Sequence, residues 1–448
     1  MKRFLKVMVA GATLAVTGAL VGAVPAGATP PTGYGFDNTA HIISGGGSDT
    51  TYRAMVGLTD LYNGSPGCFT TTSSGSSVLN NCITTNPNPE TNTLGNYEHD
   101  TVAQAYPTGS GAGIAALNGS GNYHGTVTGA PDFARSSRGP SGSELSSDTF
   151  WGFAQDGIQV VVFNNRSTIA NGADPVGNPK MSADELRKIW NCTYTQWSQV
   201  PSLGIAPGSA TDGPIVPWGI NTASGTYATF RDYIRNATGD STFDPDTGAC
   251  DRKLTATGNP PFENDIKPLI NDPASLSNSA SSTDNPENWI WWGSYGELSA
   301  FSYKSSVTRS GTPYTAFAAP VLGFLPSASN ILSNTYPIGR TLYHVTKNTD
   351  ADCPQTTPGV CDFPGHPGPT LPSGSGTDLN VTGGSSGTSG AVREFTRWLC
   401  RVSAAQQTVD PYTGINYNSA ISTAINKAGF TLVPTALRTS GSRCQVLT

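Results

Sequence analysis

Serine, threonine and glycine recur in this chain where a helix is about to begin. A hydroxyl beside free backbone N–H groups at the positive end of a helix is a combination suited to anions. The stretch NTASGTYATF (residues 221–230) shows it best. Tyr227, Phe230 and Ile234 recur at helical spacing, with Arg231 and Asp232 between them. Ser224 is a good N-cap, because its hydroxyl can accept a hydrogen bond from an early helical N–H. Gly225 follows in the first turn, where it costs stability relative to Ala. A bare backbone at that place implies that something approaches it closely.

The pattern has companions. SGGGSDTTYRAM (44–55) sets Ser48, Asp49 and Thr50 after a glycine run and before a helical segment. PTGSGAGIAAL (107–117) sets Ser110 and Gly111 at another helix start, and Thr226 follows Gly225 at the third. Ordinary capping accounts for any one of these sites. Three in one chain point to a shared crevice, since doubly wound folds gather such loops at one place. PDFARSSRGPS (131–141) adds Arg135, Ser137 and Arg138. Two guanidinium groups beside hydroxyls hold an oxyanion through charge-assisted hydrogen bonds; a solvated turn with surface arginines has the same composition.

Other chemistry has weaker support. Residues 383–387 (GGSSG) fit G-x-S-x-G but have no strand before them, so the nucleophile-elbow context is missing. His41, His99, His124, His344 and His366 have no metal spacing, and the triplet Glu98-His99-Asp100 reads as a polar loop. A binding protein without cofactor or metal is therefore expected rather than an enzyme.

Lys2, Arg3 and Lys6 precede an apolar run over residues 7–24, and Ala26-Gly27-Ala28 forms a small-residue cleavage site. Residues 1–28 read as a secretory signal peptide. No Cys near that site offers a lipid anchor, and no later run is apolar enough to span a bilayer. Cleavage removes three cations and takes the formal charge from −6 to about −9. Charged residues make up only 12% of the chain, and no basic patch is visible, which argues against nucleic acid. The expected product is a secreted or periplasmic, loop-rich monomer.

The eight cysteines, Cys68, Cys82, Cys192, Cys250, Cys353, Cys361, Cys400 and Cys444, are even in number and contain no C-x-x-C pair. In an exported chain they read as four disulfides. Sequence leaves the connectivity open. Pairing sequential neighbours gives 68–82, 192–250, 353–361 and 400–444.

The elements that position these residues alternate between strand and helix, which implies an α/β fold. Residues 42–43 run into the glycines at 45–47, followed by a helix from about Thr50 to Tyr62. Residues 158–163 (IQVVVF) are a short β-branched run suited to a buried strand. Ser182 to Glu185 is a capping box ahead of a helix through Leu186, Ile189 and Trp190. Residues 392–399 and 419–428 read as late helices. Residues 64–96 and 352–390 read as loops, the second as a surface insertion. Trp289, Trp291, Trp292 and Tyr295 read as core or lobe-interface aromatics.

The order of these motifs resembles the phosphate-binding proteins of ABC transporters, a branch of the type II periplasmic solute-binding proteins. Residues 45–50, 109–111 and 132–138 look like that family's three ligand loops of the first lobe. MSADELRKIWNCTYTQW (181–197) is similar to its helix and Trp-containing turn, and NTASGTYATF to its Ser-Gly-Thr helix start. GSYGELSAF (293–301), YPIGRTLY (336–343) and FTLVPTA (430–436) resemble its late helix, return strand and C-terminal stretch. The resemblance implies two α/β lobes with a ligand cleft between them. The first lobe is expected over residues 36–164 and 333–448, the second over 165–330. It also implies an oxyanion such as phosphate as ligand, lobe closure as mechanism and an ABC permease as partner.

The resemblance breaks at charged positions. The family has Arg where Ile220 stands, Asp where Thr222 stands, Asp where Ser137 stands and Thr where Asp49 stands. The expectation is that Arg138, or else Arg135, supplies the lost cation and Asp49 the lost acceptor. The expected ligand set is Ser48, Asp49, Thr50, Ser110, Gly111, Ser137, Arg138, Ser224, Gly225 and Thr226. The alternative is a secreted interaction protein that keeps the fold for another ligand.

Overall fold

The computed structural model describes residues 42–63, 69–71, 77–79, 101–105, 108–119, 131–163, 181–209, 212–250, 288–296, 306–309, 312–348, 392, 395–396, 398–400, 415–439 and 442–448. The expected signal peptide and its cleavage site, the 352–390 insertion, the 68–82 and 353–361 cysteine pairs, Glu98-His99-Asp100 and the 383–387 motif lie outside these residues.

In chain order the strands are β1 (Ile42–Gly47), β2 (Phe69–Thr71), β3 (Ser77–Leu79), β4 (Thr101–Gln104), β5 (Phe133–Ser136), β6 (Asp148–Phe163), β7 (Val216–Pro217), β8 (Trp289–Ser294), β9 (Ser306–Arg309), β10 (Thr312–Ala319), β11 (Gly339–Lys347), β12 (Thr431–Leu432) and β13 (Gln445–Leu447). The α-helices are α1 (Tyr52–Asn63), α2 (Ser110–Leu117), α3 (Ala183–Trp190), α4 (Gly225–Thr238), α5 (Ala328–Leu332) and α6 (Tyr417–Lys427). Residues 392, 395–396 and 398–400 are also helical.

The main sheet runs β4-β1-β5-β11-β6-β10-β9, and β8, β12 and β13 also pair with β6. β1 is parallel to both neighbours, whereas β11 is antiparallel to β5 and β6. The apolar run at 158–163 is therefore only the second half of a 16-residue strand. Its first half, Asp148 to Asp156, pairs with β11; its second half pairs with β8 and β10. The sequence reading stopped short because Gln155, Asp156 and Gly157 interrupt the apolar pattern. Within the segment read as a loop at 64–96, β2 and β3 pair antiparallel.

Two large cores flank the midpoint of β6. Trp151, Phe153 and Ala154 join Met55, Leu58, Tyr62, Phe133, Phe395 and Ile421. Ile158 and Val160 to Val162 join Leu186, Trp190, Phe230 and Ile234. The Trp289, Trp291 and Trp292 cluster lies wholly in the second core, with Trp292 stacked on Phe230 at 4.4 Å between ring centroids; Tyr295 packs partly buried against it. The Ser182 capping box forms as expected: Ser182 Oγ accepts from the Glu185 N–H at 3.2 Å, and Glu185 Oε2 accepts from the Ser182 N–H at 2.7 Å. Cys192 is joined to Cys250 and Cys400 to Cys444. Among the described residues no helix is long and apolar enough to cross a membrane.

His344, on β11, is fully buried between Phe133 and Phe395. The Thr396 hydroxyl spends its proton on the Val392 carbonyl at 2.7 Å, so His344 Nε2 must donate to Thr396 Oγ1 at 2.8 Å. Nδ1 has no partner among the described residues, and burial pushes the imidazole down to about 3. The unfolded ring titrates near 6.5, so below that value the unfolded chain takes up a proton that the folded chain refuses. Stability is therefore full above about pH 6.5 and falls as the pH drops towards 3. At pH 4.5 this one residue should remove about 2–3 kcal/mol. Urea unfolding at pH 7.5 and 4.5 measures the difference, and His344→Gln should abolish that share of it.

Candidate functional site

The site begins where β1 ends. The Ser48 N–H donates to the Arg135 carbonyl at 2.9 Å, which carries the chain from β1 across to the start of α1. Arg135 lies beneath this turn, fully buried. Its Nη1 donates to the Gly45 carbonyl at 2.8 Å and to Gln104 Oε1 at 2.7 Å, its Nη2 to the Ala105 carbonyl at 3.1 Å and its Nε to the Ser48 carbonyl at 3.3 Å. These bonds make Arg135 a clamp under the first loop. Ser48 Oγ accepts from the Thr51 N–H at 3.4 Å, and Ser48, Asp49, Thr50 and Thr51 are all buried.

The second and third loops meet next to it. Ser110, the first residue of α2, accepts the Ser137 N–H on its hydroxyl at 2.9 Å, and the two hydroxyls lie 3.2 Å apart. From the other side, Ser224 caps α4 by accepting the Thr226 N–H at 3.1 Å. Thr226 Oγ1 stands 3.0 Å from Thr50 Oγ1, a hydrogen bond between residues 176 positions apart.

Gly225 now has its explanation. A β-carbon there would overlap the hydroxyl oxygens of Ser110 and Ser137. Gly109 is in the left-handed region at φ 96°, and a β-carbon on it would overlap the Ala223 carbonyl. Two helix N-termini thus face one another with glycine at the contact. Thr50, Ser110, Ser137, Gly225 and Thr226 come together, all buried; Ser48 and Asp49 lie buried within the first turn, Ser224 lies buried at the cap of α4, and Gly111 occupies the next position of α2 beyond Ser110, half-buried.

Arg138 does not join them. Its Nη2 and Nη1 make a two-pronged pair with Glu144 Oε1 at 2.7 Å and Oε2 at 2.8 Å, and Nη1 also reaches the Gly139 carbonyl. Burial opposes ionisation of Glu144, but the bonds from Arg138 and Ser141 outweigh it and hold the carboxyl below the usual range. The physical reason is local: a turn at residues 144–146 returns Glu144 to the guanidinium, and a bidentate carboxylate is the stronger partner. Being next to Ser137 in sequence does not put the Arg138 side chain on the same side.

The arginine at the cluster is Arg340 of β11, which sequence reading did not single out. Its Nη1 donates to the Ser137 carbonyl at 3.1 Å and its Nη2 to Thr50 Oγ1 at 3.4 Å. Nε and Nη2 also bind Asp156 Oδ2 at 2.9 and 2.7 Å. Asp156 further accepts from Ser294 Oγ at 2.8 Å and from the Gly296 N–H at 3.0 Å. Two signals were available in the sequence: an Asp interrupting an apolar run, and an Arg within the apolar YPIGRTLY strand. Ile220, where the resemblance would place Arg, is buried in the second core, and Thr222 is exposed.

A family model described as the PBP superfamily domain matches residues 68–363. The chain belongs to the PBP superfamily. The family-level resemblance and the two-lobed α/β architecture read from the motifs therefore hold for this PBP-superfamily chain. No curated protein matches it. Among solved structures it is similar to an ABC-type phosphate transport receptor from Vibrio cholerae, at 20% identity over 68% of this chain and 87% of that one, with a TM-score of 0.38. A putative phosphate ABC transporter substrate-binding protein from Clostridium perfringens, with bound phosphate, matches at 16% identity over 69% and 87%, TM-score 0.38. A high-affinity periplasmic phosphate-binding protein bound with phosphate matches at 13% identity over 88% and 91%, TM-score 0.42.

Gly225→Ala should improve the intrinsic helix propensity of α4 yet push its N-terminus off Ser110 and Ser137. Overpacking of this kind disfavours the close contact by about 1–3 kcal/mol. Small-angle X-ray scattering should show a larger radius of gyration than wild type, with the melting temperature little changed. An unchanged radius would mean that the contact does not control the separation of the lobes.

Proposed function

We propose that this PBP-superfamily chain is an exported solute-binding protein whose ligand is phosphate or a phosphate-like oxyanion, captured by closure of two lobes for delivery to an ABC permease. The lobes would comprise residues 36–164 with 333–448, and residues 165–330, after cleavage near Ala28. One observation carries the reading: the hydroxyls of Thr50, Ser110, Ser137 and Thr226 and the N-termini of α2 and α4 converge from opposite sides. Helix ends that face each other repel through their partial positive charges, and an anion between them relieves this. Ser48, Asp49, Ser224, Gly225 and Gly111 complete the proposed set, and Arg138 leaves it.

Asp49 shapes the selectivity. A carboxylate at the first loop repels a fully ionised anion and accepts a hydrogen bond from a protonated one. Hydrogen phosphate carries such a proton at neutral pH; sulfate does not. A site built around a hydrogen bond rejects the analogue that cannot make it.

Calorimetry with both anions on the purified protein tests the proposal. Phosphate should bind more than roughly tenfold tighter than sulfate, with Asp49→Asn narrowing the gap. Equal binding of both anions by wild type would remove the role of Asp49. Binding of neither by the folded protein would turn the reading to a secreted interaction protein, the alternative that the replacements at Ile220 and Thr222 favour.

A further inference from the structure

Arg340 and Asp156 face each other in register on β11 and β6, at the midpoint of the strand that both cores share. Both side chains are buried. An isolated pair of this kind is poor value for stability, because the desolvation of two charges offsets their attraction. This pair is not isolated. Arg340 directs Nη1 to the Ser137 carbonyl and Nη2 to the Thr50 hydroxyl, one from the third loop and one from the first. Asp156 takes its other bonds from Ser294 and the Gly296 N–H, at the end of β8. The cation therefore bridges the hydroxyl cluster and the carboxylate, its Nη2 bonding both Thr50 and Asp156.

We propose that Arg340 is the charge-compensating and positioning residue of the oxyanion site, acting through Thr50 and Ser137, and that Asp156 attenuates it. The inference rests on the oxyanion reading and deepens it by naming the source of the missing cation. Arg340 donates to Thr50 Oγ1, so the Thr50 hydroxyl proton points away from the guanidinium, to Thr226 Oγ1 in this structure and to a ligand oxygen that takes its place. The guanidinium lies one hydroxyl away from that oxygen and favours a negative charge there. Asp156 opposes the same charge from a longer distance. A purely structural tie between β6 and β11 predicts that loss of either partner weakens binding alike. The electrostatic role predicts opposite signs.

The test is phosphate calorimetry on wild type, Arg340→Gln, Arg340→Lys and Asp156→Asn, with folding checked by circular dichroism and melting. Truncating a buried charge pair at its cation should weaken phosphate by roughly 30-fold or more in Arg340→Gln. Arg340→Lys keeps the charge while losing the planar fork, and should lose clearly less affinity than Arg340→Gln. Asp156→Asn should bind phosphate as tightly as wild type or tighter. Equal losses in Arg340→Gln and Asp156→Asn would overturn the proposal, as would unchanged binding in Arg340→Gln. If Asp156→Asn does not fold, the lysine variant decides: a clearly smaller loss supports the charge role, and a loss matching Arg340→Gln overturns it. Wild-type protein that binds no phosphate would overturn the oxyanion reading and this proposal together, which separates that failure from one confined to Arg340.

Discussion

One continuous strand underlies this molecule. β6 runs for 16 residues through both cores, and each core takes its side chains from one half of it. A strand buried on both faces favours apolar residues, and β6 carries them on either side of a polar midpoint. Gln155 and Asp156 stand there, where the strand leaves one core and has not yet entered the other. A carboxylate in that place is tolerable only when paired and hydrogen-bonded. The antiparallel register supplies the answer directly, since Arg340 is the residue opposite Asp156. The two lobes are thus referenced to a single rail, and the charged rung of that rail touches the loops at the cleft.

The cleft itself depends on closeness. The Thr50 and Thr226 hydroxyls meet at 3.0 Å, with the Ser110 and Ser137 hydroxyls 3.2 Å apart beside them, and such contacts leave no space for side chains between them. Glycine at positions 109 and 225 meets that requirement. Three arginines lie near this region and do three different things. Arg135 clamps carbonyls beneath the first loop, Arg138 pairs with Glu144, and Arg340 spans the cluster and Asp156. The difference lies in which partners the backbone brings within reach, because the side chains are chemically identical.

Local features were the most legible part of the sequence. The capping box at Ser182, the N-cap at Ser224 and the burial of residues 158–162 depend on neighbours a few positions away. The Cys192–Cys250 and Cys400–Cys444 bridges follow the pairing of sequential neighbours. The order of the helix starts carried the fold. The cation was not legible in the same way. Arg138 was suggested by sitting beside Ser137, yet six residues later Glu144 claims it. Arg340 is 290 positions from Thr50 and 184 from Asp156, and only strand register reveals what it meets. Residues whose role is set by pairing across a sheet carry little local signature.

The shared strand has a further consequence for how the chain is made. The residues of the second core run from Ile158 to Ile338, so a chain emerging from its N-terminus has that core complete while more than a hundred residues are still to come. The first core waits longer. It needs Tyr417, Ile421, Phe430 and Cys444, and β12 and β13 must lie down on the half of β6 that was synthesised some 280 residues before. Closing such distant contacts is slow. During that interval the N-terminal half of β6 presents an unpaired, apolar edge. A chain with this topology gains from being held unfolded until its last strands have been made.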